Sequence, residues 1–333
     1  MPFPCRGGTC SPVGGCVGVY EATGVALKRL IAIAASLALL AWLAADARWR
    51  TVGGALAALT PATLAIAGGG LLASYLLRAA RVHDEFRRDA GGRFGTCLRI
   101  VLMHNAMVNV VPFRGGEAAF PVLLRQSFGT PLGRAVASLF WFRLQDALIV
   151  AILAVIVWPS LPLPLRAAGV TGLIGFAWYL PRWARAPHDW AERHGFHAKL
   201  AKLRDAFAES TQHARFGWVW TIANWSVKLA AQAWLLATLL PASATVGAAG
   251  ALGAELAAIL PIQGVAGFGT YEAGAAAALL PHGIPFEDGL RAALALHLFV
   301  IACAVGAGGV AWLVSGATSA TPNGDQPPVS GKR

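Results

Sequence analysis

Four sets of polar residues interrupt stretches of this chain that are otherwise apolar, and their types and spacing suit the capture of an anionic group. The first set is Asn109, Arg114, Gly115, Gly116 and Glu117, gathered around Pro112. The second is Arg143 and Asp146, three apart and so neighbours on one helical face. The third, Asn224, Lys228 and Gln232, recurs every four residues and makes one stripe along a helix. The fourth is Gly267, Gly269 and Glu272, following Pro261 and Gln263. A guanidinium group matches the geometry of a phosphate. Glycines permit tight reversals and bring helix N-terminal amides to an anion. A glutamate in a helix's first turn is favoured by the dipole and caps free amides. A structural alternative stands beside each reading. Arg114 with Glu117, and Arg143 with Asp146, could simply neutralise each other. Lys228 either pairs with an acid such as Glu255 or Glu272 or meets an anionic headgroup. Asn105 and Asn109 form a weaker stripe, while His104 and His297 stand alone and read as hydrogen-bonded packing residues.

The elements that hold these residues are set by composition. Of 333 residues, 56% are hydrophobic and 13% charged, against about 25% charged in an ordinary soluble domain. Residues 30–45, 62–77 and 167–180 contain no charged side chain, and 135–158, 216–240 and 292–316 contain at most two each. Each approaches the ~20 residues that a helix needs to cross a bilayer. A soluble chain has nowhere to bury six such helices, so the expected class is all-α and polytopic, with about six full spans. The net charge of +11 does not point to nucleic acid. The basic residues cluster at 78–99 and 182–215, between apolar runs, as the positive-inside bias produces. With both clusters in the cytoplasm the threading closes, and both termini lie inside. A multi-pass protein of the cytoplasmic membrane is the expectation. Residues 190–213, with apolar positions three and four apart, read as an amphipathic helix on the inner leaflet.

Two segments are left over, about 96–126 and 245–280. Each starts and ends on one side and is broken in its middle by Pro and Gly. Such segments must cross twice or dip in and return, and re-entry is the expectation, because broken backbone at membrane depth is tolerated only inside protein or beside a wet cavity. In each, a glycine-rich break follows an apolar helix and a glutamate comes after it. They enter from opposite faces, so two oppositely oriented re-entrant hairpins, an inverted repeat, are expected, with a substrate site between them. The run Asn109, Pro112, Arg114, Gly116, Glu117, then Arg143 to Asp146 and Pro261 to Glu272, resembles the lysylphosphatidylglycerol synthase transmembrane-region family, over most of 30–316. The resemblance implies a flippase-like protein that moves a lipid headgroup between leaflets. Known members carry a soluble aminoacyl-transferase domain after the membrane part. This sequence resembles the stand-alone form, for which no synthase activity is expected.

The expected organisation is a disordered leader at 1–27, a membrane domain at 28–316 and a disordered cytoplasmic tail at 317–333. Membrane lipids with an anionic headgroup are the expected partners, with a lipid- or glycan-synthesis enzyme as a further one. No cofactor or metal is implied, since no His/Cys/Asp cluster has ligand spacing and the glycines of 264–269 follow no strand. No catalytic residue is expected. Two other readings remain open: a secondary transporter of a small solute, and a non-transporting partner of a synthesis enzyme.

Overall fold

A computed structural model of the chain describes residues 48–111, 115–158, 161–187, 196–211, 213–259 and 265–319. The chain divides into two compact units, Met1–Thr51 and Val52–Arg333, and every element from Pro61 onward belongs to the second. The leader, the expected span at 30–45 and the tail from 320 lie outside the described residues. So do Pro112, Phe113 and Arg114.

Every described element is helical. In order they are α1 (Arg48–Ala57), α2 (Pro61–Glu85), α3 (Phe94–Val110), α4 (Ala119–Phe128) and α5 (Leu132–Val157). There follow α6 (Leu163–Arg185), α7 (Phe196–Ser210), α8 (Gly217–Leu239), α9 (Ala244–Ile259), α10 (Thr270–Leu279) and α11 (Phe286–Ser319). Local chemistry sets several of the ends. Thr60 caps α2 by accepting the Thr63 amide (3.2 Å), with Pro61 at the first helical position. The chain leaves α4 at Gly129 and the turn after α10 at Gly283, both in the left-handed region.

By length and hydropathy α2, α5, α6 and α11 are each able to cross a membrane. Helix α8 qualifies only together with α9, from which it is bent by 116°. Four to five of the six expected spans are therefore present among the described residues, and the span expected at 30–45 lies outside them. Helix α8 does not qualify alone because its stripe of Asn224, Lys228 and Gln232 lowers its hydropathy. The stretch between the apolar runs 30–45 and 62–77 contains α1. The outer surface is apolar: Ile66, Leu72, Ile174, Trp178, Val310 and Trp312 are all exposed, as a lipid-facing surface requires.

Both interrupted segments are helical hairpins. Gly116 lies against the Met107 carbonyl, and the His104 and Phe120 rings meet at 5.4 Å, so α4 runs back along α3. Similarly α10 returns along α9, where a Cβ on Gly253 would lie 2.4 Å from the Gly274 carbonyl oxygen. Contacts of this kind need small residues on both helices.

Exchanging α2–α5 for α8–α11 maps the helix contacts onto themselves. Helix α2 packs on α3 as α8 does on α9, and α4 on α5 as α10 does on α11. Crosswise, α3 packs on α11 as α9 does on α5, while α2 and α8 lie against each other, with Gly70 close on Ala231. This is the contact pattern of two repeated units. Helix α6 stands aside from it, with no residue of its apolar window buried.

Helix α7 packs its apolar face against protein. Its Phe207 ring packs edge-on against Trp141 (5.4 Å) and against Phe140 (5.8 Å), and Ala201 and Ala208 are also buried. The apolar face of α7 docks on α5, a neighbour that sequence periodicity cannot distinguish from lipid. Trp218 meets Trp141 at 5.7 Å, whereas Trp158 is exposed at the end of α5.

Candidate functional site

A cavity of about 460 Å³ lies between the two repeated units. Its walls come from both hairpins and from α2, α5, α8 and α11. Ionisable groups line it although each, left unpaired at membrane depth, costs about 3 kcal/mol or more. Their pairing is therefore the first thing to establish.

Glu117 sits in the 3-10 turn Gly115–Ala118 that leads into α4. Its Oε1 accepts from Arg143 Nη2 of α5 at 2.6 Å, and its Oε2 is 3.5 Å from His104 Nε2 of α3. The tip can form because Gly116 has no side chain: a Cβ there would lie 2.2 Å from the Met107 carbonyl oxygen. Arg143 lies 3.9 Å from Asp146, its neighbour one turn on. Asp146 is committed elsewhere. Its Oδ1 accepts from Arg81 (2.7 Å) and from the Trp225 indole (3.0 Å). Arg81 also donates to the Phe142 carbonyl and to Gln145, and its guanidinium lies over the Phe142 ring at 4.2 Å. The expected Arg143–Asp146 pairing is thus loose, and the close pairs are made between helices.

In the second unit Lys228 Nζ lies 2.7 Å from Glu255 Oε1 and 4.6 Å from the centre of the Trp225 ring. The same carboxylate oxygen accepts from Gln232, which also donates to the Tyr271 hydroxyl. Glu272, in the first turn of α10, accepts the Gly269 amide through Oε2 (2.7 Å) and meets His297 Nδ1 through Oε1 (2.6 Å). The His297 ring stacks on Tyr271 at 4.3 Å. The break before α10 is held by positive φ at Ala266, Gly267 and Gly269, the last two being residues for which that region carries no penalty.

Of the residues singled out by sequence, Asn109, Glu117, Arg143, Asp146, Lys228 and Gly267 line this cavity together. Gly115, Gly116, Gly269 and Glu272 shape its walls from behind, and Arg114 lies outside the described residues. The Gly269 amide is occupied by Glu272 and Gly116 is buried against α3. Neither glycine therefore presents the open amide expected for an anion. Three residues of the site are not evident from sequence. Tyr75, Arg78 and Arg81 fall at the basic end of an apolar run, where the two arginines read as part of a basic loop. They are on α2, and Arg81 is buried at 3% exposure. Their one-turn spacing with Ser74 and Tyr75 on the buried face of α2 is the available signal. His297, read as a packing residue, also lines the cavity.

Three buried side-chain amide atoms have no partner among the described residues, Asn105 Nδ2, Asn224 Oδ1 and Gln232 Oε1. The Asn105 and Asn224 side chains line the cavity. A second cavity of about 600 Å³, between α5, α6 and α8, is walled mostly by aliphatic and indole groups. Its arginines, Arg182 and Arg185, donate to carbonyls of their own helix one turn back.

No curated protein and no solved structure matches the chain. Residues 29–308 match the family model described as the lysylphosphatidylglycerol synthase TM region, and the chain, a multi-pass helical membrane protein, belongs to that family.

Proposed function

We propose that this protein is flippase-like and moves the headgroup of an anionic amphiphile between the two leaflets of the cytoplasmic membrane. The two hairpins are re-entrant in this reading and enter from opposite faces, with both termini in the cytoplasm. The observation that carries it is the cavity itself: about 460 Å³ of space walled by both hairpins, lined with charges, and set in a bundle with an apolar exterior. Charges at membrane depth that face a cavity mark a substrate path. Two lining side chains on α5, Val136 and Phe140, are also exposed on the outer surface. That wall therefore runs out to where acyl chains remain in lipid while the headgroup enters.

The Glu117–Arg143 contact is part of this path. Its two members come from different helices and are about one quarter to one third exposed, so the pair can open to a competing headgroup at modest cost. The test is reconstitution of the full chain in vesicles containing phosphatidylglycerol labelled on an acyl chain with a dithionite-reducible fluorophore. Wild type is expected to bring inner-leaflet label within reach of the reductant. Arg143→Gln and Glu117→Gln are expected to slow this by roughly tenfold, the loss of one charge-assisted contact. Wild-type vesicles that behave like protein-free ones, for anionic and zwitterionic lipid alike, would sink the reading.

A further inference from the structure

The two repeated units can be compared residue by residue through their polar contacts. On α2 and α3, Arg78 Nη1 donates to Asn105 Oδ1 at 2.8 Å, across 27 residues. On α8 and α9, Lys228 meets Glu255 at 2.7 Å, and these two are also 27 residues apart. The hairpin glutamates follow the same rule. Glu117 reaches Arg143 across 26 residues, and Glu272 reaches His297 across 25. These two contacts of one unit thus have counterparts in the other, joining corresponding pairs of elements.

The counterparts differ in charge. Lys228 faces a carboxylate and is satisfied by it, whereas Arg78 faces the neutral carboxamide of Asn105. The nearest carboxylate to Arg78, Asp146, is 4.0 Å from Nη2 and already takes Arg81 and Trp225 at closer range. Because Asn105 accepts from Arg78 through Oδ1, its Nδ2 is left as a donor. That nitrogen is buried without a partner, in a side chain only 7% exposed that lines the cavity. Arg78 retains further N–H groups and lines the same wall. Asn109 completes the edge by donating to the Asn105 backbone carbonyl at 2.7 Å, which fixes the orientation of this turn of α3.

We propose that Arg78 and Asn105 form the phosphate-binding end of the cavity, and that the Lys228–Glu255 pair is the same site closed by an internal carboxylate. This rests on the reading of the cavity as a headgroup path and adds which atoms hold the headgroup. A phosphodiester oxygen would receive hydrogen bonds from the guanidinium and from Asn105 Nδ2. The exchange of Glu for Asn between the two units decides which half is open to an anion.

The experiment measures binding separately from transport. Purified full-length protein in neutral detergent is titrated calorimetrically with dihexanoyl phosphatidylglycerol and, separately, with inorganic phosphate. Arg78→Gln and Asn105→Glu are expected to weaken binding by about tenfold or more. Asn105→Glu supplies Arg78 with the carboxylate that Lys228 already has, so this variant should fold as wild type. Combining Asn105→Glu with Glu255→Asn moves the uncompensated cation to the other half, and binding is expected to return. Arg291→Gln, at an exposed ion pair on α11, is the unaffected control. Binding that stays within about twofold of wild type in Arg78→Gln and Asn105→Glu would overturn the proposal, as would a wild type that binds neither ligand. Binding of both ligands supports a lipid headgroup site, and binding of phosphate alone supports the same atoms serving a free anion. If binding follows this pattern but vesicles show no lipid movement, the transport reading fails and the anion site stands.

Discussion

Asn224 shows how a single atom separates a structural role from a functional one. Its side chain is 1% exposed, it lines the cavity, and its Oδ1 has no partner among the described residues. A buried acceptor left unmade costs about 1–3 kcal/mol, so a purely structural site would gain from its removal. Asn224→Ala is therefore expected to leave the thermal unfolding temperature unchanged or raised while slowing lipid movement in vesicles. A lowered unfolding temperature with unchanged transport would assign the residue to packing. Much of this chemistry is legible in the sequence, because a charge inside an apolar run stands out. Arg143, Asp146, Glu117, Lys228 and Glu272 all stand out that way. Their partners are harder to read. Neighbour rules along one helix pair Arg143 with Asp146, but its close partner Glu117 is 26 residues away on another helix. Arg78 and Arg81 are hidden for a different reason. An arginine one turn inside a helix end resembles the loop cations beside it until the inward face of that helix is known.

At the scale of elements, close approach decides the geometry. Helices α9 and α10 cross at Gly253 and Gly274, where a Cβ on Gly274 would lie 2.5 Å from the Gly253 carbonyl oxygen. Backbone cannot yield there as a flexible side chain would. Gly274→Leu is expected to destabilise the hairpin by about 2 kcal/mol and to separate Glu272 from His297. The check is the unfolding temperature together with protease sensitivity of residues 245–280. Unchanged values in both would show that the hairpin has slack. The hairpins themselves are readable, since Pro and Gly break two apolar runs that each begin and end on one side in the expected threading. Helix limits are less so: the run 62–77 is the uncharged N-terminal part of Pro61–Glu85. The hidden part of α2 is the part that pairs its cations with α3 and α5, and pairing across helices leaves no mark in hydropathy. The docking of α7 on α5 is unreadable for the same reason, because aromatic and aliphatic groups suit lipid and protein equally.

For the molecule as a whole, the two-fold pattern of contacts makes a prediction about sidedness. Arg125, at the end of α4, and Glu287, at the start of α11, occupy corresponding places before and after the chain reversals at Gly129 and Gly283. Both are exposed. In the proposed threading they lie on opposite faces of the membrane. With the native cysteines replaced by alanine, Arg125→Cys is expected to react with an impermeant maleimide only from the cytoplasmic side, and Glu287→Cys only from outside. Labelling of both from one side would rule out inverted repeats and require parallel ones. Helix α6 gives this arrangement its direction. It buries none of its apolar window and contributes no side chain to the central cavity, so by ordinary measures of packing it is expendable. Yet in the proposed threading a chain that leaves α5 on one face must be carried back before α8 begins, or the second unit would be a translated copy of the first rather than its inverse. What α6 would supply is parity. Its sequence should tolerate almost any apolar substitution and no change that stops it from crossing.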